Sequence, residues 1–289
     1  IECFKDYYNQ ESYWIYYNMI VNSKPIFHEP WWLNVTAGEN NWGECLVTRQ
    51  NETIARMPWF KKNKFGLTVL TNPPLTPFLG PWFGEYKNKN GLIKSFQDKK
   101  IANELIDQLP RFNIYRSNFT PEVSNWLPWY WKNYSQTTRY TYRFNSLNNL
   151  DQLWLNLRGN IRSDIKKARN KNISVIFDGD LEDLLVLHKM TWSRQGLPTF
   201  VKSEVIHNLD KECSKRNCRA IILAKDKNEK YHAGVYLVWN KDIAWYLIGG
   251  GNPELRSSGA TSLVLWESIK YVSSFLNTFD FEGSMHEPI

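Results

Sequence analysis

Apolar residues along the 289-residue chain follow two patterns, and the change comes near residue 145. Upstream, apolar stretches are short and broken by proline and tryptophan: Pro30-Trp31-Trp32, Pro58-Trp59-Phe60, and the run from Asn72 through Pro73, Pro74, Pro77 and Gly80 to Trp82. Proline lacks an amide hydrogen and has a fixed φ, so this density excludes regular helix and central strand and predicts a shaped loop over 72–84, after a strand at Leu67–Thr71. Leu92–Leu109 carries Ile93, Phe96, Ile101, Leu105 and Leu109 near helical spacing and stops at Pro110, which predicts a helix. Phe112–Phe119 and Thr137–Phe144 alternate, with β-branched and aromatic residues, and are predicted strands.

Downstream, Leu150, Trp154, Leu157, Ile161, Ile165 and Ala168 recur at steps of three and four, the buried stripe of one helix ending near Lys171-Asn172. Ile173–Phe177 reads as a strand. Asp180 is placed to cap a helix over Leu181–Gln195, with Glu182 and Asp183 in its first turn, and Gly196 and Pro198 end it. A helix over Val201–Arg216 follows. Arg219–Lys225, Ala233–Trp239 and Ile243–Gly250 form a three-stranded antiparallel meander, Ser258–Phe275 a helix with Leu263, Trp266, Ile269 and Val272 inward, and Phe279–Gly283 a last strand. The order β-α-α-β-β-β-α-β is α+β. Length favours two domains, 1–145 and 146–289.

Composition narrows the class. The chain is 42% hydrophobic and 22% charged, with a mean hydropathy of −0.51, which places it among folded water-soluble proteins. No apolar run reaches bilayer length, so no integral membrane segment is expected, and the Tyr-, Trp- and Asn-rich start does not read as a signal peptide. Lys plus Arg exceed Asp plus Glu by 36 to 29, a net charge of +7 that weakly favours an acidic or phosphate-bearing partner. Cys3, Cys45, Cys213 and Cys218 do not form the close pairs of a zinc ribbon and read as reduced cytoplasmic thiols. The five histidines show no metal-ligand spacing and no Ser or Cys elbow, so metallohydrolase and triad chemistry lack support and no metal is expected.

Three places could carry chemistry. Gly249-Gly250-Gly251-Asn252-Pro253-Glu254-Leu255-Arg256-Ser257-Ser258-Gly259-Ala260 runs from a strand end into a helix start, where unpaired amides and small residues suit a phosphate; a plain glycine-rich turn with a serine cap is the structural alternative. The run lacks both the Gly-x-Gly-x-x-Gly spacing and a following Gly-Lys-Ser/Thr, which excludes dinucleotide and triphosphate loops. Arg158, Arg162, Lys166 and Arg169 form a basic stripe beside the apolar one, either a phosphate clamp or a solvated face, and Trp192 and Arg194 close the next helix. Asp280 and Glu282 alternate with Phe279 and Phe281, so two carboxylates share one strand face, as a proton acceptor for an amine or as a salt-bridged strand end.

The element order and the turn Arg256-Ser-Ser-Gly259-Ala260 resemble the GNAT acyltransferase fold. Leu155–Arg169, Asn252–Glu267 and Phe279-Asp-Phe-Glu-Gly283-Ser284 together resemble its Fem-type branch, which includes peptidoglycan-bridge aminoacyltransferases and acyltransferases of surface-polysaccharide pathways. The match is clear over about 147–287, and the first half resembles, more loosely, the degenerate first GNAT-like domain of that branch. The resemblance implies tandem GNAT-like domains with mixed, mostly antiparallel sheets flanked by helices. Thr261 departs from the acyl-CoA pattern, which has Gly or Ala there. The chain also ends where the family continues with a further helix and strand pair.

The resemblance further implies an N-acyltransferase with no tightly bound cofactor. Acyl-CoA, or alternatively aminoacyl-tRNA, would be the donor, and an amine of a nucleotide- or lipid-linked amino sugar of the cell envelope the acceptor, in the cytoplasm or at the inner membrane. Donor contacts would fall on Gly249, Gly250, Leu255, Arg256, Ser257, Ser258, Gly259 and Ala260, acceptor contacts on Arg162, Lys166, Trp192 and Arg194, and the base would be Glu282 or Asp280. A different class competes: with 15% aromatic residues, a non-catalytic nucleic-acid or glycan binder would expose a row of rings beside a groove.

Overall fold

In the computed structural model, residues 24–49, 51–84, 94–196 and 201–283 are described. Cys3, the start of the helix expected from Leu92, Pro198 and Ser284 lie outside the described residues.

Two sheets organise the chain. The first has the order β1 (Trp42–Arg49), β2 (Glu52–Lys64), β3 (Leu67–Thr71), β5 (Ile114–Tyr115), with β4 (Trp82–Phe83) paired to β2. β1, β2 and β3 are antiparallel neighbours, whereas β5 runs parallel to β3 after a crossover through α2 (Lys94–Asp107). Ile101, Ala102, Leu105 and Ile106 of α2 and Trp129 of α3 (Leu127–Tyr130) meet Cys45, Val47, Ile54, Ala55 and Met57 in one core. The helix stripe and the strand alternation thus face each other.

The second sheet has the order β6 (Arg143–Phe144), β11 (Thr278–Asp280), β10 (Ile243–Gly251), β9 (Tyr231–Trp239), β8 (Arg219–Lys225), β7 (Ser174–Phe177). Both of its faces are covered, which explains why its strands read as continuous apolar runs. Ala220, Ile222, Val235, Leu237 and Phe279 meet α4 (Leu150–Asn156), α5 (Gly159–Asn170) and α8 (Ala260–Ser273) on one face. Ile221, Leu223, Tyr236, Val238 and Trp245 meet α6 (Leu181–Arg194) and α7 (Ser203–Lys215) on the other. The segment Ile26–Ala37, a 3-10 turn followed by α1 (Pro30–Ala37), lies on this second face, with the Phe27 ring 5.1 Å from that of Trp245. Trp32 Nε1 donates to Thr76 Oγ1 at 3.0 Å and so ties α1 to the proline-rich loop.

The architecture is the mixed, mostly antiparallel α+β arrangement expected, and local details differ from the sequence reading. The helix expected over 150–171 is two, because Leu157 and Arg158 are extended and Gly159, a poor helix former, starts α5; Leu153, Trp154, Leu157 and Ile161 still face one core. Of the strands expected at 112–119 and 137–144, only 114–115 and 143–144 pair, since those are the residues that reach a neighbouring strand. The loop over 72–84 gains a two-residue pairing at its end. As expected, the Asp180 carboxylate caps α6, accepting from the Glu182 amide at 2.7 Å.

Candidate active site

β10 and β11 run parallel for three residue pairs only, Ile243↔Thr278 to Trp245↔Asp280, and then part. A bulge between Tyr246 and Ile248 shifts the remainder of β10 by one residue. Downstream of it, Gly250 points toward α6, where an added Cβ would collide with the backbone of Leu187 and His188; only glycine lets helix and strand approach so closely. Gly249 points to the opposite face, against the Tyr246 hydroxyl.

The Asn252 amide donates to His232 O of β9 at 2.9 Å, so by strand alternation the peptide groups of Gly249 and Gly251 face away from β9, into the gap that β11 leaves. Two side chains of α6 reach this edge. His188 Nδ1 lies 2.8 Å from Gly249 O; a carbonyl only accepts, so Nδ1 carries the proton. Thr191 Oγ1 accepts from the Gly251 amide at 3.0 Å. Burial lowers the His188 pKa, opposed by the bond to Gly249, and so favours the neutral ring. Trp192 stacks edge-on to it at 5.7 Å.

The turn after β10 is a 3-10 helix, Pro253–Ser258, leading through Gly259 into α8. Gly259 has φ +82°, and a Cβ there would also collide with the Asp164 backbone, so this glycine presses the turn onto α5. Most of the six amides expected to face an anion are engaged within the turn: amides inside the 3-10 helix bond the carbonyl three residues back, Leu255 N bonds Asn252 O at 3.2 Å, and Ala260 N bonds Ser258 Oγ at 3.2 Å. Arg256 and Ser257 are exposed, Leu255 is half-buried, and Ser258, Gly259 and Ala260 are buried; Thr261, the departure from the acyl-CoA pattern, is exposed on the first turn of α8. On α5, Arg162 is half-buried and Lys166 exposed. Neither makes an ion pair or hydrogen bond among the described residues, and the same holds for Arg194 at the exposed end of α6. Arg169 differs, bonding Glu267 at 3.0 Å.

The two carboxylates do not share a strand face. β11 ends at Asp280, and Glu282 lies beyond it at φ +50°. Asp280, fully buried, accepts from Thr141 Oγ1 at 2.5 Å, from Arg143 Nε at 2.9 Å and from the Glu282 amide at 2.8 Å. Glu282 keeps part of its surface exposed, but its Oε1 is sealed from solvent without a hydrogen-bond partner among the described residues. Burial, then the nearby Asp280 charge, holds its carboxyl well above the usual range. The Tyr246 phenol is pushed up to about 12 by burial and by Glu282, which places the two groups within electrostatic reach. Tyr246, Glu282, His188 and Gly249 thus border the mouth where the strands part. Sequence reasoning missed Tyr246 and His188: His188 sits four residues before Trp192, one helical turn away, but only the bulge brings Gly249 O to its ring.

Residues 156–284 match the family described as "Acetyltransferase (GNAT) domain". Over the whole chain the architecture is similar to the crystal structure of FemX, with a TM-score of 0.65 and 14% identity over 98% of this chain and 89% of that one. Residues 156–284 thus carry a GNAT acetyltransferase domain, and the chain has the fold of FemX. A conserved protein of unknown function from Bacteroides thetaiotaomicron VPI-5482 has the same architecture at a TM-score of 0.51 and 11% identity, covering 96% of this chain and 88% of that one. No functionally curated protein matches the sequence. Among the described residues, no helix of the chain is long and apolar enough to cross a membrane.

Proposed function

We propose that this acyltransferase moves an acyl group from acyl-CoA to an amine of a cell-envelope or surface-polysaccharide precursor, an amino sugar carried on a nucleotide or a lipid. The parting of β10 and β11 beside a glycine-lined turn is the observation that supports this reading. It leaves main-chain groups of Gly249 and Gly251 free of a neighbouring strand and ends at a helix N-terminus, where the diphosphate of a CoA donor is stabilised by unpaired amides. The unpaired amides of the first turn of α8 would face the phosphates beside the Arg256–Gly259 turn, with Arg162 and Lys166 of the adjoining α5 supplying charge.

In the reaction, the neutral amine attacks the thioester carbonyl, the C–N bond forms, and the tetrahedral intermediate expels CoA thiolate. Glu282 is assigned as the proton acceptor, because a carboxylate of raised pKa is better matched to an ammonium than an ordinary one. Asp280 is assigned a positioning role, since its oxygens are already bonded to Thr141, Arg143 and the Glu282 amide. The Tyr246 hydroxyl, neutral at physiological pH, would return a proton to the leaving thiolate and take one back from the protonated Glu282, so that both groups end as they began. Trp192 and Arg194 of α6 would line the acceptor side. Mass analysis of amino-sugar acceptors incubated with acetyl-CoA or with charged tRNA tests this. Acylated sugar formed with acetyl-CoA supports the reading, whereas consumption of charged tRNA alone replaces the donor.

A further inference from the structure

Among the described residues, two hollows of about 430 and 360 Å³ lie at the other end of the second sheet. They share Asn217 and Trp239 and so form one open furrow. Trp239 pairs with Ala244, six residues along β10 from Gly250, which sets the furrow roughly 20 Å from the Gly250 end of β10 at about 3.3 Å per residue.

Its floor is a row of rings. Phe177 meets Tyr271 at 5.5 Å, Tyr271 meets Trp239 at 6.3 Å and Phe275 at 5.4 Å, and Trp239 meets Phe275 at 5.2 Å. Phe177 and Phe275 keep 44% and 45% of their surface exposed. Large rings left half in water beside a cavity are a feature of ligand sites more than of plain surface.

The polar rim selects the ligand. Arg219 is paired with Asp178 and Asp210, Arg216 with Glu212, and the exposed Lys241 at one end more loosely with Asp242 at 3.9 Å, so most of the local charge is already neutralised. Asn217, at φ +49° just beyond α7, is exposed, and its side-chain amide has no hydrogen bond among the described residues. An amide that both donates and accepts, set over aromatic faces with little unpaired charge, matches a ligand that is apolar on its faces and hydroxylated at its edges. We infer that this furrow binds an uncharged oligosaccharide, its pyranose C–H faces on Phe177, Tyr271 and Phe275 and its hydroxyl or acetamido groups on Asn217. The site is separate from the acyl-transfer centre and stands whether or not the proposed acceptor is right. A polyanion such as single-stranded nucleic acid, which also stacks on rings, would need free cations along the furrow.

Saturation-transfer NMR and calorimetric titration of the full chain with the neutral trisaccharides of N-acetylglucosamine and of glucose test the inference. The expected result is saturation of axial ring protons by at least one sugar. Phe275→Ala and Asn217→Ala should each weaken binding by about tenfold, the loss of one stacking or hydrogen-bonding contact, with the melting temperature unchanged. Phe275 is exposed, so the variant should fold; if it does not, the Asn217 variant still decides. Absence of binding at millimolar sugar, binding indifferent to both substitutions, or preferential binding of a single-stranded oligonucleotide at the furrow would each overturn it.

Discussion

The chain contains two strand–helix–strand crossovers of the same order, β3-α2-β5 and β10-α8-β11, each returning to a parallel strand, and they differ in what happens where the parallel pairing stops. Beyond β3 and β5 the strands are laced together. The Asn118 amide donates to Asn72 Oδ1 at 3.2 Å and Asn118 Nδ2 to Pro77 O at 3.0 Å, while Leu79 and Gly80 donate back to Asn118 O at 3.0 and 3.1 Å. The Phe119 ring fills the space over Gly80. Beyond β10 and β11 no such lacing is present among the described residues. The bulge, the glycines Gly249 to Gly251 and a short turn leave a backbone edge that His188 and Thr191 of α6 reach. One topology is therefore closed by proline, asparagine and an aromatic ring in the first unit, and held open by glycine in the second.

If the open crossover is the reacting one, Glu282→Gln should lower acyl transfer by about 10²–10⁴-fold, the usual contribution of a general base, with acetyl-CoA binding little changed. A steady-state assay with a titration of the donor separates the two effects, and a loss of donor affinity alone would remove Glu282 from the chemistry.

Asp280→Asn should cost stability instead, about 3 kcal/mol, because it leaves the Arg143 guanidinium, also bonded to Glu122 at 2.5 Å, short of a buried partner. Urea unfolding measures this. A loss below about 1 kcal/mol would place Asp280 among surface-like pairs.

The pH dependence carries a sign. Glu282 has a folded-state pKa raised above the ordinary 4.5, so its contribution to stability is fully present below that value and is lost as pH rises through the folded value. Glutamine cannot lose a proton there. The melting temperature of Glu282→Gln should therefore gain on the parent protein as pH rises from 4 toward 8, and parallel curves would contradict a raised pKa. The smallest effect is expected in the closed crossover: Asn118→Ala should cost about 1–2 kcal/mol for its lost hydrogen bonds and leave donor binding untouched.

How far this could be read from the sequence follows from where the information lies. The second sheet's strands and helices were legible because both faces are buried and the apolar stripes are long, as with Leu263, Trp266, Ile269 and Val272 of α8. The glycine turn was legible from its small residues, yet most of its amides bond within the turn, two of them to a serine hydroxyl and an asparagine carbonyl that composition does not orient. Asp280 and Glu282 were legible as a pair; their division into a bonded and a sealed carboxyl depends on Thr141 and Arg143, 137 or more residues away. Tyr246 and His188 were not legible, because the β-bulge that aims them is a register fact set by β9. The short pairings at 114–115 and 143–144 likewise depend on which neighbour each strand reaches.

Hydrogen exchange with and without acetyl-CoA tests the central claim most directly, since it reports both crossovers in one measurement. The account predicts slowed exchange at Gly249, at Arg256 to Gly259 and in the first turn of α8, with no change at residues 72–80. Protection confined to 72–80, or none in either crossover at saturating acetyl-CoA, would contradict it.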